Sequence, residues 1–246
     1  MRSFLLALGF LSIVPSPKLR EDDLEKLGGS MFLFPLVGAL LGSILVLFFV
    51  LCRSWLSGLF LDSLLIMLLV IFTRALHLDG LADTFDATLG GRDRAEVLRI
   101  MEASGIGAFG VLSLIFVILL KVVLLNSLNF KLKPAALVLA PVFGRWAMVF
   151  GAAFFSPAKK EGLGYLFARH TGPRQFLIAS VPAFAIAFLC LKWYSSIVIL
   201  SSLSFVAVLA YSLVRKVGGV SGDILGALSE LSEVWILFAM FLIFGG

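Results

Sequence analysis

Residues 56–86 read LSGLFLDSLLIMLLVIFTRALHLDGLADTFD, an apolar run that passes directly into a segment holding three aspartates. The run over 56–76 contains one acid, Asp62, in about the 20 residues a helix needs to cross a hydrocarbon core. The segment that follows is His77-Leu78-Asp79-Gly80-Leu81-Ala82-Asp83-Thr84-Phe85-Asp86. On a helix, offsets of four and three residues bring Asp79, Asp83 and Asp86 to one face, with neighbouring Cβ atoms about 5–6 Å apart. Three like charges so close repel unless something neutralises them. Mg2+ would do so economically, because it takes oxygens from a few carboxylates and completes its shell with substrate phosphates. The plainer alternative is a solvated loop whose acids stay wet. His77 by itself is either a hydrogen-bonded boundary residue or a phosphate or cofactor contact.

The rest of the chain extends the membrane reading. Hydrophobic residues make up 61% and charged residues 14% of the 246, and mean hydropathy is +1.09, against about 45–50% and 25% in soluble domains. The expectation is an all-α, polytopic transmembrane bundle forming a single membrane domain over 1–246. About seven crossings are expected, near 31–52, 56–76, 106–128, 134–155, 175–193, 196–214 and 234–245. The apolar stretch from Ser3 to Pro15 is too short to span before Pro15 and Pro17 interrupt it. No small-residue cleavage site follows, so it reads as a retained half-spanning or interfacial helix. Cys52 and Cys190 stand alone and support neither a disulfide nor a zinc site.

Alternating crossings put the polar segments 16–29, 77–105, 156–174 and 215–233 on one side. That side holds twelve Lys and Arg against four on the other, at Arg53, Lys131, Lys133 and Lys192, so the positive-inside rule makes it cytoplasmic, in a cell inner membrane. Of the fifteen acids only Asp62 lies elsewhere. Acids do not set orientation, so their clustering points to a shared metal and substrate site. The net charge of +5 is what basic loops require, and attraction of anionic lipid or substrate would look the same. No basic domain interleaved with exposed aromatics is present, so nucleic acid is not an expected partner. The sequence leaves the oligomeric state open, a homo-oligomer included.

Further segments carry potential chemistry. Asp93 to Glu96 reads as a helix start with Asp93 as N-cap. Glycines 105, 107 and 110 serve equally well to admit a phosphate or to pack helices closely. Gly218 to Asp223 leads into a second acidic group, Asp223, Glu230 and Glu233; Asp223 and Glu230, seven apart, share a helix face. Two acidic patches facing each other across a cleft would suit two metals. Arg145 interrupts an apolar run, at a cost of about 2.5–3.5 kcal/mol by insertion scales at a helix centre, so it either faces the bundle interior or snorkels.

These residues resemble the cobalamin synthase family of membrane enzymes, the adenosylcobinamide-GDP ribazoletransferases. The resemblance rests on His77-Leu78-Asp79-Gly80-Leu81-Ala82-Asp83, on Phe34-Pro35-Leu36-Val37-Gly38, Leu98-Arg99-Ile100-Met101, Gly107-Ala108-Phe109-Gly110 and Glu161-Gly162-Leu163-Gly164, and on Gly222-Asp223-Ile224-Leu225-Gly226-Ala227. These motifs run in the family's order over nearly the whole chain. The chain departs from the family pattern at Glu102-Ala103-Ser104-Gly105, where a basic residue followed by Asp-Ser-Arg is usual, and at Ala87, where glycine is common. The resemblance implies phosphoryl transfer late in vitamin B12 assembly. A ribose hydroxyl of alpha-ribazole or its 5'-phosphate would attack the cobinamide-linked phosphorus of adenosylcobinamide-GDP and release GMP at a membrane lipid surface. It would place Mg2+ on Asp79, Asp83, Asp86 and Asp223, make Asp86 the first and Glu230 the second choice of proton acceptor, and assign His77, Arg99, Arg145, Lys160 and Glu161 to substrate binding. A CDP-alcohol phosphotransferase is the nearest rival, but its Asp-x-x-Asp-Gly order is missing. A secondary transporter would carry its acids nearer the midplane.

Overall fold

In the computed structural model the described residues are 2–15, 23–56, 58–103 and 105–245, and they form helices with no strand beyond one isolated bridge. Pro17, most of the polar segment before residue 23, and Ser104 lie outside them. In chain order the helices are α1 (Arg2–Leu11), α2 (Asp23–Gly28), α3 (Phe34–Cys52), α4 (Gly58–Phe72), α5 (Leu76–Gly90), α6 (Arg94–Met101), α7 (Ala108–Ser127), α8 (Lys133–Phe154), α9 (Gly162–His170), α10 (Pro173–Leu191), α11 (Ser195–Val217) and α12 (Gly222–Phe244).

Five helical stretches are long and apolar enough to cross a membrane, six when α4 and α5 count as one bent span. One of the five, Pro173–Val217, consists of α10 and α11, which pack on each other across a turn where Lys192 has φ 54°. Counted separately they make six full-length helices. The 15-residue α4 is shorter than the crossing expected over 56–76. The chain is a multi-pass membrane protein.

At the centre lies α8, packed by α3 on one side and α12 on another. Buried α3 residues recur at helical spacing, Phe34, Val37, Leu41, Leu45 and Phe49, with Gly38 and Gly42 on the same stripe. A Cβ on Gly42 would stand 2.6 Å from the Leu137 carbonyl oxygen. Pro141 has no N–H to offer that carbonyl four residues back, so the oxygen is free to meet the Gly42 Cα. Small residues thus set the closest approach in the bundle.

Two features differ from expectation. The chain does not run straight from α4 into a loop. It turns by 89° through Arg74 and Ala75, both with φ 54°, and continues as α5 across the end of the bundle. Two non-glycine residues in the left-handed region cost about 1–2 kcal/mol each. The bend is tied down by Arg74, which donates to Gly9 O at 3.0 Å and Phe10 O at 3.2 Å, and by Ile13 N–H donating to Phe72 O.

The second difference is the last helix, expected over 234–245, which starts at Gly222. Glu230 and Glu233 therefore sit buried inside the bundle rather than in an acidic patch on its cytoplasmic side. Their charges are met there: Lys121 of α7 donates to both carboxylates at 2.6 Å, and Arg145 of α8 pairs with Glu233. Two cations and two anions, all buried, sum to zero, which is the condition for holding charge at membrane depth.

The remaining polar connections gather at one end, where Phe10, Phe34 and Phe167 cluster and Pro157 bridges Val220. At the other end Phe130 packs on Phe49 and beneath Arg53, and Lys133 pairs with Asp62. Replacing Lys121 with Met is expected to lower stability by about 3–5 kcal/mol, because it strands a buried carboxylate. Thermal unfolding in detergent checks this, and adding Glu230→Gln to that variant is expected to recover part of the loss.

Candidate active site

The site is built where α5 lies against the first turns of α12. A Cβ on Gly80 would stand 2.7 Å from the Asp223 Cα, and one on Gly226 would stand 3.1 Å from the His77 carbonyl oxygen. Two glycines, one per helix, therefore let the backbones touch and bring Asp79 and Asp83 beside Asp223. The start of α12 is fixed by Ser221, whose hydroxyl accepts from Ile224 N–H at 3.1 Å. The turn before it is held by Ala158 N–H donating to Val220 O and Val220 N–H to Ser156 O. Gly164 on α9 closes against Ser221 and Gly222, where a Cβ would meet backbone at 2.8 Å.

Two compartments meet here. The wider, about 260 Å3, is lined by Lys159, Glu161, Tyr165, Met101, Ser221 and Asp223 among others. The smaller, about 100 Å3, is lined by His77, Asp79 and Asp223 and by apolar side chains. Leu163, Gly222 and Asp223 border both.

Asp79 is exposed and Asp83 half-buried, and among the described residues neither is in an ion pair. Partial burial, then repulsion from Asp223, Asp79 and Asp86, raises the Asp83 carboxyl from its ordinary value of 3.8 to about 6. Such a donor set, all oxygen and short of positive charge, fits a hard divalent cation. Among the described residues no three Asp, Glu, His or Cys groups stand close enough together to hold a metal ion by themselves, so an ion here would need further oxygens from a ligand.

The other expected site residues lie elsewhere. Asp86 is on the same helix stripe but turned to α7, where its carboxylate accepts from Gly107 N–H at 2.6 Å and Gly110 N–H at 2.8 Å. It caps a helix N-terminus, a favourable place for a carboxylate, and both its oxygens are engaged. A Cβ on Gly107 or Gly110 would collide with that carboxylate, so these glycines serve packing around Asp86. Glu230, half of the Lys121 pair, and Arg145, wholly buried on Glu233, have no access to the cleft. Arg99 is exposed beside Glu96 and does not line the cleft, although its neighbours Leu98 and Met101 do. Lys160 is likewise outside it, and Lys159 takes the position expected for Lys160. Glu161 does line the cleft, at the N-cap of α9 without a side-chain capping bond. Sequence reasoning missed Lys159, Tyr165, Phe10 and Phe167; the two lysines are neighbours in a bent connection, whose path spacing alone does not give. Of the altered segment, Glu102 pairs with Lys159.

A family model described as cobalamin-5-phosphate synthase matches residues 3–241. The chain belongs to that family. It is 33% identical to an adenosylcobinamide-GDP ribazoletransferase of Caldanaerobacter subterraneus over 95% of both chains. It is 34% identical to one of a Thermoanaerobacter species over 96% of both, and 36% identical to one of Acetivibrio thermocellus over 98% of both. No solved structure matches it. The protein is a transferase with a cobalamin synthase function.

Removing the Asp83 charge tests the electrostatics. A carboxyl whose folded pKa is raised favours the fold below its unfolded value and costs stability as pH rises through about 6. Asp83→Asn is therefore expected to raise the thermal midpoint of metal-free protein at pH 8, with the difference closing below about pH 4.

Proposed function

We propose that the protein transfers the cobinamide-linked phosphoryl group of adenosylcobinamide-GDP to a ribose hydroxyl of alpha-ribazole or its 5'-phosphate, with release of GMP. The observation that carries this reading is the meeting of Asp79 and Asp223 where two compartments join, with Asp83 close enough to feel both charges and none of the three in an ion pair among the described residues. Asp79, Asp83 and Asp223 would hold Mg2+, which when bound supplies neutralisation of the diphosphate and of the charge developing on GMP.

The wider compartment takes the GDP portion. Lys159 faces the phosphates. The uncapped first turn of α9 and the first turn of α12 offer free backbone N–H groups to the same oxygens. Glu161 presents a carboxylate to the donor edge of guanine, a pairing of acceptor oxygens with N–H groups. In the transfer step the ribose oxygen forms a bond to the cobinamide-linked phosphorus as the bond from that phosphorus to the GMP oxygen breaks. The hydroxyl proton passes to a carboxylate of the Asp79, Asp83 and Asp223 group. Asp86, bonded to two amides, and Glu230, bonded to Lys121, are not available for it.

The compartments open at the end that carries the basic connections, so the site faces the cytoplasm of a cell membrane. Cysteines introduced at 160 and at 55 are expected to label from opposite faces of oriented vesicles.

The direct test is GMP release by purified protein in liposomes given both substrates. Release is expected to require Mg2+ and to stop with EDTA. Asp83→Asn and Asp223→Asn are each expected to lower kcat/KM by about 10^2-fold or more. Lys159→Ala is expected to raise KM for adenosylcobinamide-GDP by about tenfold, the loss of one charge-assisted hydrogen bond. Undiminished activity in the aspartate variants would end the assignment.

A further inference from the structure

Away from the cleft, the membrane face of the bundle is recessed beside α7. Phe85 and Leu89 of α5 and Phe109, Phe116 and Leu120 of α7 wall a groove of about 310 Å3 that reaches in to Leu231 of α12. None of these residues lines the two compartments at Asp223. The groove starts at the end of the bundle that carries the cleft, because Asp86 holds α5 on the amide groups that open α7. At about 1.5 Å per residue it runs about 16 Å down α7 from Phe109 to Leu120. That is the depth of one leaflet, half of a hydrocarbon core about 30 Å thick.

Cations collect at the head of this groove, where the end of α5 meets α6 and the end of α11. Lys216 of α11 donates to Thr88 O at 3.2 Å, next to Leu89, and Arg94 donates to Gly218 O at 3.3 Å. Arg92 follows Leu89 by three residues, and Arg215 precedes Lys216. Carbonyl partners orient a cation without cancelling its charge. Among the described residues Arg92, Arg94, Arg215 and Lys216 are in no ion pair. The nearby acids are engaged elsewhere: Asp93 accepts from Glu96 N–H, and Glu96 pairs with Arg99 and accepts from Arg92 N–H. Orientation in the membrane asks for basic residues on this side, not for their collection at one groove. We propose that the groove seats one acyl chain of an anionic phospholipid, whose phosphate lies among these four cations. Basic sites between transmembrane helices at the cytoplasmic surface suit acidic headgroups, and a guanidinium can give a phosphate two parallel N–H bonds. A second copy of the chain is a poorer occupant, because a two-fold contact would bring the same four cations face to face. The seated chain packs on Phe85 and Leu89, on the helix that carries Asp79 and Asp83.

Fluorescence quenching tests this without reference to catalysis. The full chain carrying Phe116→Trp is reconstituted in phosphatidylcholine vesicles, with phosphatidylglycerol or phosphatidylcholine brominated at mid-chain as the probe and the signal of the unaltered protein subtracted. Brominated phosphatidylglycerol is expected to reach half-quenching at a mole fraction at least tenfold lower than brominated phosphatidylcholine. With Val181→Trp, at a similar depth on the exposed side of α10, the two probes are expected to quench alike. Changing Arg92, Arg94, Arg215 and Lys216 together to Gln is expected to abolish the preference at position 116. Changing the three arginines to Lys is expected to keep it, with thermal midpoints confirming that both variants fold. Equal quenching by the two lipids at 116, or the same preference at 181, would overturn the proposal whether or not the fourfold variant folds. So would a preference that survives in the folded Gln variant, or a tryptophan at 116 that neither lipid quenches while Phe116→Cys cross-links two copies of the chain.

Discussion

Everything at this site depends on how closely α5 can lie on the first turns of α12. Gly80 and Gly226 make the crossing a contact between backbones, and no other residue type leaves that room. A methyl group at Gly80 would meet the Asp223 Cα and push the helices apart. The separation of Asp79 and Asp83 from Asp223 would grow with it. The 89° turn through Arg74 and Ala75 serves the same end, because it lays α5 across the mouth of the bundle instead of letting it continue into the membrane. Arg74, bonded to the last carbonyls of α1, holds that turn, and so the short amino-terminal helix supports the site without touching its carboxylates.

The same helices carry two layers of charge with opposite design. Below the crossing, Lys121, Arg145, Glu230 and Glu233 neutralise one another in the dry interior and fasten α7 and α8 to α12. At the mouth, the aspartates stand together with no ion-paired cation among the described residues, and partial burial followed by their mutual repulsion raises the Asp83 carboxyl. Satisfied charge holds the frame, and unsatisfied charge at its rim is where a cation and phosphates would be welcomed. Asp86 belongs to the first kind although its spacing suggests the second, since two backbone amides of α7 have claimed it.

Composition and the length of the apolar runs were enough to make the chain a helical membrane bundle, and the acidic stripe of α5 with Asp223 was legible from spacing and motif. Other parts were not, for definite physical reasons. Periodicity places Asp86 on the stripe of Asp79 but says nothing of which neighbour approaches that face. Glu230 and Glu233 read as part of an acidic patch on the cytoplasmic side because their partners, Lys121 and Arg145, lie 88 to 112 residues away in sequence and meet them only on folding. The bend at Arg74 and Ala75 has no glycine or proline to announce it; tertiary bonds to α1 impose it. Lys159 and Lys160 are indistinguishable until the bridge between Pro157 and Val220 fixes which of them faces the cleft.

The claim that the rim aspartates form one cation site is tested most directly by Mn2+ binding, read by electron paramagnetic resonance on the purified protein with Mn2+ standing in for Mg2+. Wild-type protein is expected to bind Mn2+ at a site lost or weakened at least tenfold in Asp79→Asn, Asp83→Asn and Asp223→Asn alike, and retained in Glu230→Gln. Mn2+ binding that survives in all three aspartate variants, or that is lost only on replacing Glu230, would contradict it.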